Sequence, residues 1–308
     1  MCSVVRLLKC FPAMRKWWPM ADLMCRRLAI SLVVHEWREA DIYPALESLA
    51  ASLGQAVDAG LLESANLFVV YNGRQGQPEG RRGRELSEFF PFPVQVLPTQ
   101  PNQGYGRANN VLLHSLSPAD FDAVLVMNPD VVIEREALSR LLWRLSGDPS
   151  CGLVAPRLLD PASGRDVHGC KRYPSVAVLA VRQFRFLQRF AFLLRLNDRY
   201  EYRDWQSDWV HRGVELCSGC FMLASLRFWR DVGGFDSRYF MYFEDFDVSL
   251  RGSKRGWVHV YEPAAVVRHS GGGAARKPMI HRWWFVKSAF RFFMNHGWRL
   301  WRVGRKRD

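Results

Sequence analysis

The stretch DFDAVLVMNPDVVI, residues 120–133, is an apolar run that stops abruptly. Ala123 to Met127 reads as a strand buried on both faces. Asn128, Pro129 and Asp130 follow it. Proline has no N–H for a sheet ladder and restricts the residue before it, so the strand ends there. A carboxylate is left on a stiff turn at the edge of a core, which is costly unless something positive meets it.

The neighbouring segments repeat the pattern. LAISLVV (28–34), NLFVVYN (66–72) and VQVL (94–97) read as strands. Helices are expected from about Ile42 to Ala59, with Leu46, Leu49, Leu53 and Val57 on one face, over 104–116, and from Glu134 to about Leu145. The segment from 73 to about 92, rich in Gly, Arg and Pro, reads as a loop. Strands alternating with helices predict an α/β fold built on a mostly parallel sheet, with helices on both faces. In such sheets ligands sit at the carboxyl ends of the strands. Glu36, Asn72, Asn102, Gly104, Asn128 and Asp130 all fall there, around one expected cleft.

The second half carries the acids. FEDFDVSLRGSKRG (243–256) reads as a helix that Glu244, Asp245 and Asp247 enter among Tyr239, Phe240, Tyr242, Phe243 and Phe246. An apolar wall raises a carboxylate pKa, as a general base requires. The plain alternative is that acids suit the first turn of any helix. Asp130 supplies a hard oxygen of the kind magnesium or manganese takes together with substrate phosphates, and His269, a loop histidine on its own, would complete such a site. NQGYGRANN (102–110) has G-x-G but Asn109 where a dinucleotide fingerprint has its third glycine. A glycine-bearing helix start still suits phosphate, and a plain turn is the alternative.

The chain has 308 residues, with 43 Lys+Arg against 30 Asp+Glu, a net charge of +13 that favours an anionic partner. Its seven cysteines are odd in number and scattered, unlike a disulfide framework, and Cys217-x-x-Cys220 lacks the second pair that zinc would need. A reduced, cytoplasmic setting is expected. Without a run of about 18 apolar residues, no conventional spanning helix is expected. Residues 1–27 read as a basic extension without the apolar centre of a signal peptide. Residues 176–200 are apolar and arginine-studded, with Arg182, Arg185 and Arg189 on one face. The tail 281–307 places Lys287, Arg291, Asn295, Arg299 and Arg302 on one helical side and Trp283, Val286, Phe290, Phe293 and Trp301 on the other. That pattern reads as an interfacial membrane helix; a core-packing helix and a single-strand nucleic-acid surface are the alternatives.

Taken in order, ISLVVHEWREADIYPALESL, VVYNG, NQGYGRANN, VMNPDVVI, SGCFMLASLRFWRDVGGFDSRYFMYFEDFDVSLR and VVRHSGG resemble a family 2 glycosyltransferase of GT-A fold, over about residues 28–273. The resemblance is to the bacterial rhamnosyltransferase-like branch, which builds surface polysaccharides and lipopolysaccharide. It implies a GT-A domain over 28–274 and a membrane-proximal tail over 275–308. It also implies a Mn or Mg ion on Asp130 and His269, and Asp245 as catalytic base with Glu244 beside it. The implied nucleotide-sugar residues are Glu36, Asn72, Asn102, Gly104, Arg107, Asn110 and Asn128, with Asn128 standing where the metal motif usually has its first Asp. Two departures, Tyr71 before Asn72 and Glu36-Trp37-Arg38 where the branch has Thr-Tyr-Asn, touch base recognition. The implied enzyme is an inverting transferase, peripheral on the inner face of a bacterial inner membrane. Its expected donor is dTDP-L-rhamnose, with a UDP-hexose as alternative, and its acceptor a lipid-linked saccharide or lipopolysaccharide core. No nucleic-acid partner is expected. The rival reading is a non-catalytic basic module, which leaves the acids and asparagines at the strand ends unexplained.

Overall fold

The computed structural model describes residues 25–73, 79–269 and 279–304. Most of the basic N-terminal extension, the glycines 271–273 and the last basic residues lie outside that set. The first half runs β1 (Arg27–Val34), α1 (Glu39–Asp58), β2 (Ser64–Asn72), α2 (Glu79–Phe89), β3 (Val94–Gln100), α3 (Tyr105–Leu113), β4 (Ala123–Met127), β5 (Val131–Ile133), α4 (Ala137–Ser146) and β6 (Cys151–Leu159). The second half runs β7 (Cys170–Lys171), α5 (Val176–Gln183), a 3-10 turn over Arg185–Arg189, α6 (Ala191–Tyr200), β8 (His211–Arg212), β9 (Leu216–Cys217), β10 (Phe221–Ser225), α7 (Leu226–Val232), α8 (Glu244–Lys254), β11 (Val258–His269) and α9 (Met279–His296). The helix α2 replaces part of the expected loop. Its two glycines and its arginines hide the pattern, and it is anchored where Leu86 and then Phe90 enter the core.

The main sheet has the order β3-β2-β1-β4-β10-β6-β11-β5, with β8 paired to β11. Strands β1 to β4 are mutually parallel, and β10 lies antiparallel between β4 and β6. Pro98 sits in β3, an edge strand of this order, where a missing N–H is tolerated. Residue alternation sends the two faces of β4 into different cores. Leu125 and Met127 join Leu46, Leu49, Leu138 and Leu141 of α1 and α4. Val124 and Val126 join Phe228 and Trp229 of α7.

The topology gathers three strand ends. The order reverses at β1, so a crevice opens beyond the carboxyl ends of β1 and β4. Because β10 runs antiparallel to β4, its starting residues reach the same end, and Asn128 N–H donates to the Cys220 carbonyl at 2.9 Å. Strand β11 finishes there too, with His269 opposite Val131 of β5.

The tail differs from its sequence reading. Helix α9 ends at His296, and Gly297 turns the chain with φ of 102°. Ser288, Ala289, Phe292 and Phe293 are its buried residues, with Phe292 and Phe293 packed among Tyr173, Tyr239 and Phe243. Phe293 therefore faces the core, while Trp283, Val286 and Phe290 remain exposed. The helix is apolar on two sides, one of them spent on packing.

Candidate active site

Helix α8 begins on a strained turn. Tyr242 and Phe243 both have positive φ, 70° and 67°, a region that aromatic residues rarely adopt. Helix α9 holds this turn in place. Ser288 Oγ donates to the Met241 carbonyl at 2.8 Å, and the Tyr242 hydroxyl lies 3.0 Å from His281 Nδ1. Strain maintained by surrounding contacts is a mark of a functional segment.

The turn delivers Glu244 and Asp245 to the end of β10. Asp245 Oδ2 accepts the Gly219 N–H at 2.8 Å, and Oδ1 accepts the Phe246 N–H at 2.9 Å. Burial pushes its pKa up to about 6, against the pull of those N–H groups. Glu244 is buried, with Oε2 lacking a hydrogen-bond partner among the described residues. Burial, then the neighbouring Asp245 charge, push its pKa up to about 8, so it is mainly neutral at pH 7. The third acid, Asp247, is structural. Its carboxylate takes Arg251 Nε at 2.6 Å and His296 Nε2 at 2.8 Å, joining α8 to α9.

Beside this pair stands a second polar group. His269 Nε2 lies 3.4 Å from Asp130 Oδ1 and 3.4 Å from Asn128 Nδ2. Burial alone would depress the imidazole pKa, but hydrogen-bonded Cys220 and Asp130 outweigh it and push it up to about 10. Two ligands at right angles on a magnesium-sized ion lie about 3 Å apart, close to the observed spacing. Among the described residues no three His, Cys, Asp or Glu side chains form a metal cage. One carboxylate and one imidazole, the imidazole first giving up its proton, would fit a divalent cation that completes its shell with water and substrate phosphates.

Gly219 and Cys220 join the two groups, since one holds Asp245 and the next touches His269. The Gly219 carbonyl also accepts the Tyr105 hydroxyl at 2.7 Å. Sequence reasoning named none of these three as site residues and weighed Cys217-x-x-Cys220 as an incomplete zinc motif. The only local sign was a glycine near the start of the apolar strand β10.

The remaining residues named from sequence divide by position. Asn72 is buried, with Oδ1 accepting Gln103 N–H at 3.0 Å and Nδ2 donating to Asn102 Oδ1 and the Gly104 carbonyl, each at 3.3 Å. Its amide is spent on shaping the 102–104 loop. Gly104 has φ of 91°, and a Cβ there would sit 2.0 Å from the Phe240 carbonyl oxygen, so only glycine lets the loop meet the strained turn. Asn110 holds the Phe235 backbone at both ends, 2.7 and 2.9 Å. Exposed Arg107 donates to the Ser237 carbonyl. Asn109, at the missing-glycine position, accepts from Ser31 Oγ at 2.7 Å inside the core. Glu36 is not brought into the group; it is exposed and paired with Arg38 at 2.7 Å. The two departures near base recognition prove to be neighbours, because the Trp37 and Tyr71 rings pack 6.1 Å apart.

Residues 69–285 match the family described as glycosyltransferase like family 2. The chain is a family 2 glycosyltransferase. An N-acetylglucosaminyl-diphospho-decaprenol L-rhamnosyltransferase of Mycobacterium tuberculosis is 32% identical to this transferase over 272 residues, covering 84% of this chain and 83% of the relative. Rhamnosyltransferase WbbL of Escherichia coli K12 is 28% identical over 195 residues, covering 61% and 69%. Among solved structures, mannosyltransferase PcManGT from Pyrobaculum calidifontis, in complex with GDP-Man and Mn2+, aligns with a TM-score of 0.54 at 15% identity, covering 96% of this chain and 72% of that one. GalNAc-T7 with UDP, GalNAc and Mn2+ aligns with a TM-score of 0.53 at 11% identity, covering 80% and 43%. At these identities the two structures bear on fold alone, and they place the transferase in the GT-A class expected from its sequence.

Proposed function

We propose that this glycosyltransferase moves L-rhamnose from dTDP-L-rhamnose to a lipid-linked saccharide, with inversion and with Asp245 as base. The observation that carries the reading is Asp245 itself. It is a carboxylate with a raised pKa, fixed by two backbone N–H groups, across the Gly219–Cys220 link from Asp130 and His269. The sugar and acceptor classes rest on similarity to the two bacterial rhamnosyltransferases.

The acceptor hydroxyl oxygen attacks the anomeric carbon as the bond to the donor's diphosphate oxygen breaks. The hydroxyl proton passes to Asp245, and nucleoside diphosphate leaves with the bonding electron pair. A neutral Glu244 keeps a second negative charge away from the base. Asn72 and Gly104 hold the loop over which the donor would lie, with α3's N-terminus facing it. A divalent ion, Mn or Mg, held by Asp130 and His269 would offset charge gathering on the departing diphosphate.

Access to a lipid acceptor has a physical basis on the surface. Phe184, Phe186, Phe190 and Phe192 are exposed on one segment, and Trp283, Phe290, Trp298 and Trp301 on another. Phe192 and Trp301 join them, their rings 6.4 Å apart. Exposed Arg189, Arg195 and Arg302 stand among these rings, as on surfaces that rest against anionic lipid. No helix among the described residues is long and apolar enough to cross a membrane. The test is product analysis with dTDP-L-rhamnose and UDP-glucose, each offered with a lipid-diphosphate-linked N-acetylglucosamine. Rhamnosylated lipid only from the first donor is expected. Transfer only from UDP-glucose would overturn the donor, and transfer from neither would overturn the reading.

A further inference from the structure

Behind the strained turn, α9 and residues 238–240 enclose a cleft of about 190 Å3. Arg238, Lys287 and Arg291 bring three cations to it, and Phe240, Trp283 and Trp284 supply its apolar wall. The space is small beside the roughly 300–1,000 Å3 of sites for drug-sized molecules, so it suits a compact charged group. Arg238 is already neutralised by Asp236 at 2.6 Å. Lys287 and Arg291 form no ion pair among the described residues. They stand one turn apart on the same helix, an arrangement that disfavours the helix unless an anion bridges the two charges.

The cleft also has a definite relation to the chemistry. The Phe240 ring packs on Trp284, centroids 4.6 Å apart, while its carbonyl accepts the Tyr105 N–H at 3.1 Å. One residue thus separates the cleft from the loop beside Asp245. The candidate cation site, Asp130 with His269, lies at the ends of β4 and β11, so the donor's diphosphate has its own place. From the cleft, exposed Trp283, Val286 and Phe290 continue along α9 as an apolar strip. An anion pocket followed by an apolar strip, on the base side of the reaction, matches a phosphorylated lipid.

We infer that this cleft binds the phosphate groups of the lipid-linked acceptor through Lys287 and Arg291, with the lipid chain lying over Trp283 and Phe290. The inference rests on the proposed acceptor class and names the place where that acceptor is held.

Titration calorimetry with farnesyl diphosphate, farnesol and inorganic pyrophosphate, on the full chain, tests it. Wild-type protein should bind farnesyl diphosphate more tightly than either fragment. Lys287→Ala with Arg291→Gln should weaken that binding about 10- to 100-fold, as expected for loss of charge-assisted hydrogen bonds, and leave dTDP affinity unchanged. Equal affinity in the double variant would overturn the site. Pyrophosphate binding as tightly as farnesyl diphosphate would overturn the lipid assignment, and so would farnesol doing the same. A parallel transfer assay separates the two claims. Binding through the cleft without sugar transfer would sink the transferase acceptor and support the lipid-phosphate site. Transfer with an unchanged acceptor KM in the double variant would sink the cleft alone.

Discussion

Asp245 is placed by one glycine. A Cβ on Gly219 would stand 3.0 Å from Asp245 Cβ and 3.4 Å from its Oδ2. Gly219→Ala should therefore shift the carboxylate while leaving the core intact, and kcat should fall about 100-fold, the scale of a misplacement near 1 Å. Melting within a few degrees of wild type, with that kinetic loss, would bear this out; an unaltered kcat would contradict it. The pH profile follows from the same residue. A base must be ionised, so kcat/KM should rise with pH up to about 6 and then level. The groups facing Asp245 are Glu244 beside it, Tyr105 from α3, Cys217 from β9 and Tyr200 from α6. Glu244 acts on stability with the opposite sense from an ion-paired acid. Its folded pKa, about 8, lies above the ordinary 4.5, so its contribution is full below about pH 4.5 and is lost as pH rises through 8. Melting temperatures of wild type and Glu244→Gln should diverge progressively from about pH 4.5 and level off above about pH 8, with the variant the more stable at the high end. Asp130, His269 and Asp245 were singled out from residue type at strand and helix ends, and the fold sets them on either side of the Gly219–Cys220 link. Gly219 was not, because its role lies in the space it leaves for a residue 26 positions away.

Helix α8 depends on α9 through Asp247. Its carboxylate is almost fully buried between Arg251 and His296, and Arg251 continues to the Gly234 carbonyl at 2.7 Å. Asp247→Ala would leave a guanidinium and an imidazole without their partner, at a cost of about 3–5 kcal/mol. Chemical denaturation would measure this, and a loss below about 1 kcal/mol would show that the cluster is not what joins the helices. The parallel strands and α1 were readable because hydrophobic spacing is a local property. Helix α2 was not readable, since burial of Leu86 and Phe90 is settled by distant partners. The pairing of Asp247 with His296 was hidden for the same reason: 49 residues separate them. The sequence groups Asp247 with Glu244 and Asp245 at the start of the helix, yet helical geometry turns it away from Asp245 toward α9.

For the whole molecule, the +13 charge and the exposed aromatic surface point the same way. Trp298→Ser with Trp301→Ser, both at exposed positions outside the acceptor cleft, should lower co-sedimentation with phosphatidylglycerol vesicles several-fold, and salt should weaken binding of the wild type. Unchanged sedimentation would contradict lipid contact through this aromatic surface. Composition and sequence made that surface visible, but only the packing of Phe292 and Phe293 reveals which side of α9 is free. The central claim is that Asp245 takes the acceptor proton in a sugar transfer. Its most direct test is the single-turnover rate from dTDP-L-rhamnose to a lipid-linked acceptor for wild type and Asp245→Asn, with dTDP affinity measured on both. The account predicts a loss of about 10²–10⁴-fold in the variant, with dTDP binding and melting temperature preserved. Transfer by Asp245→Asn at a rate close to wild type would contradict it.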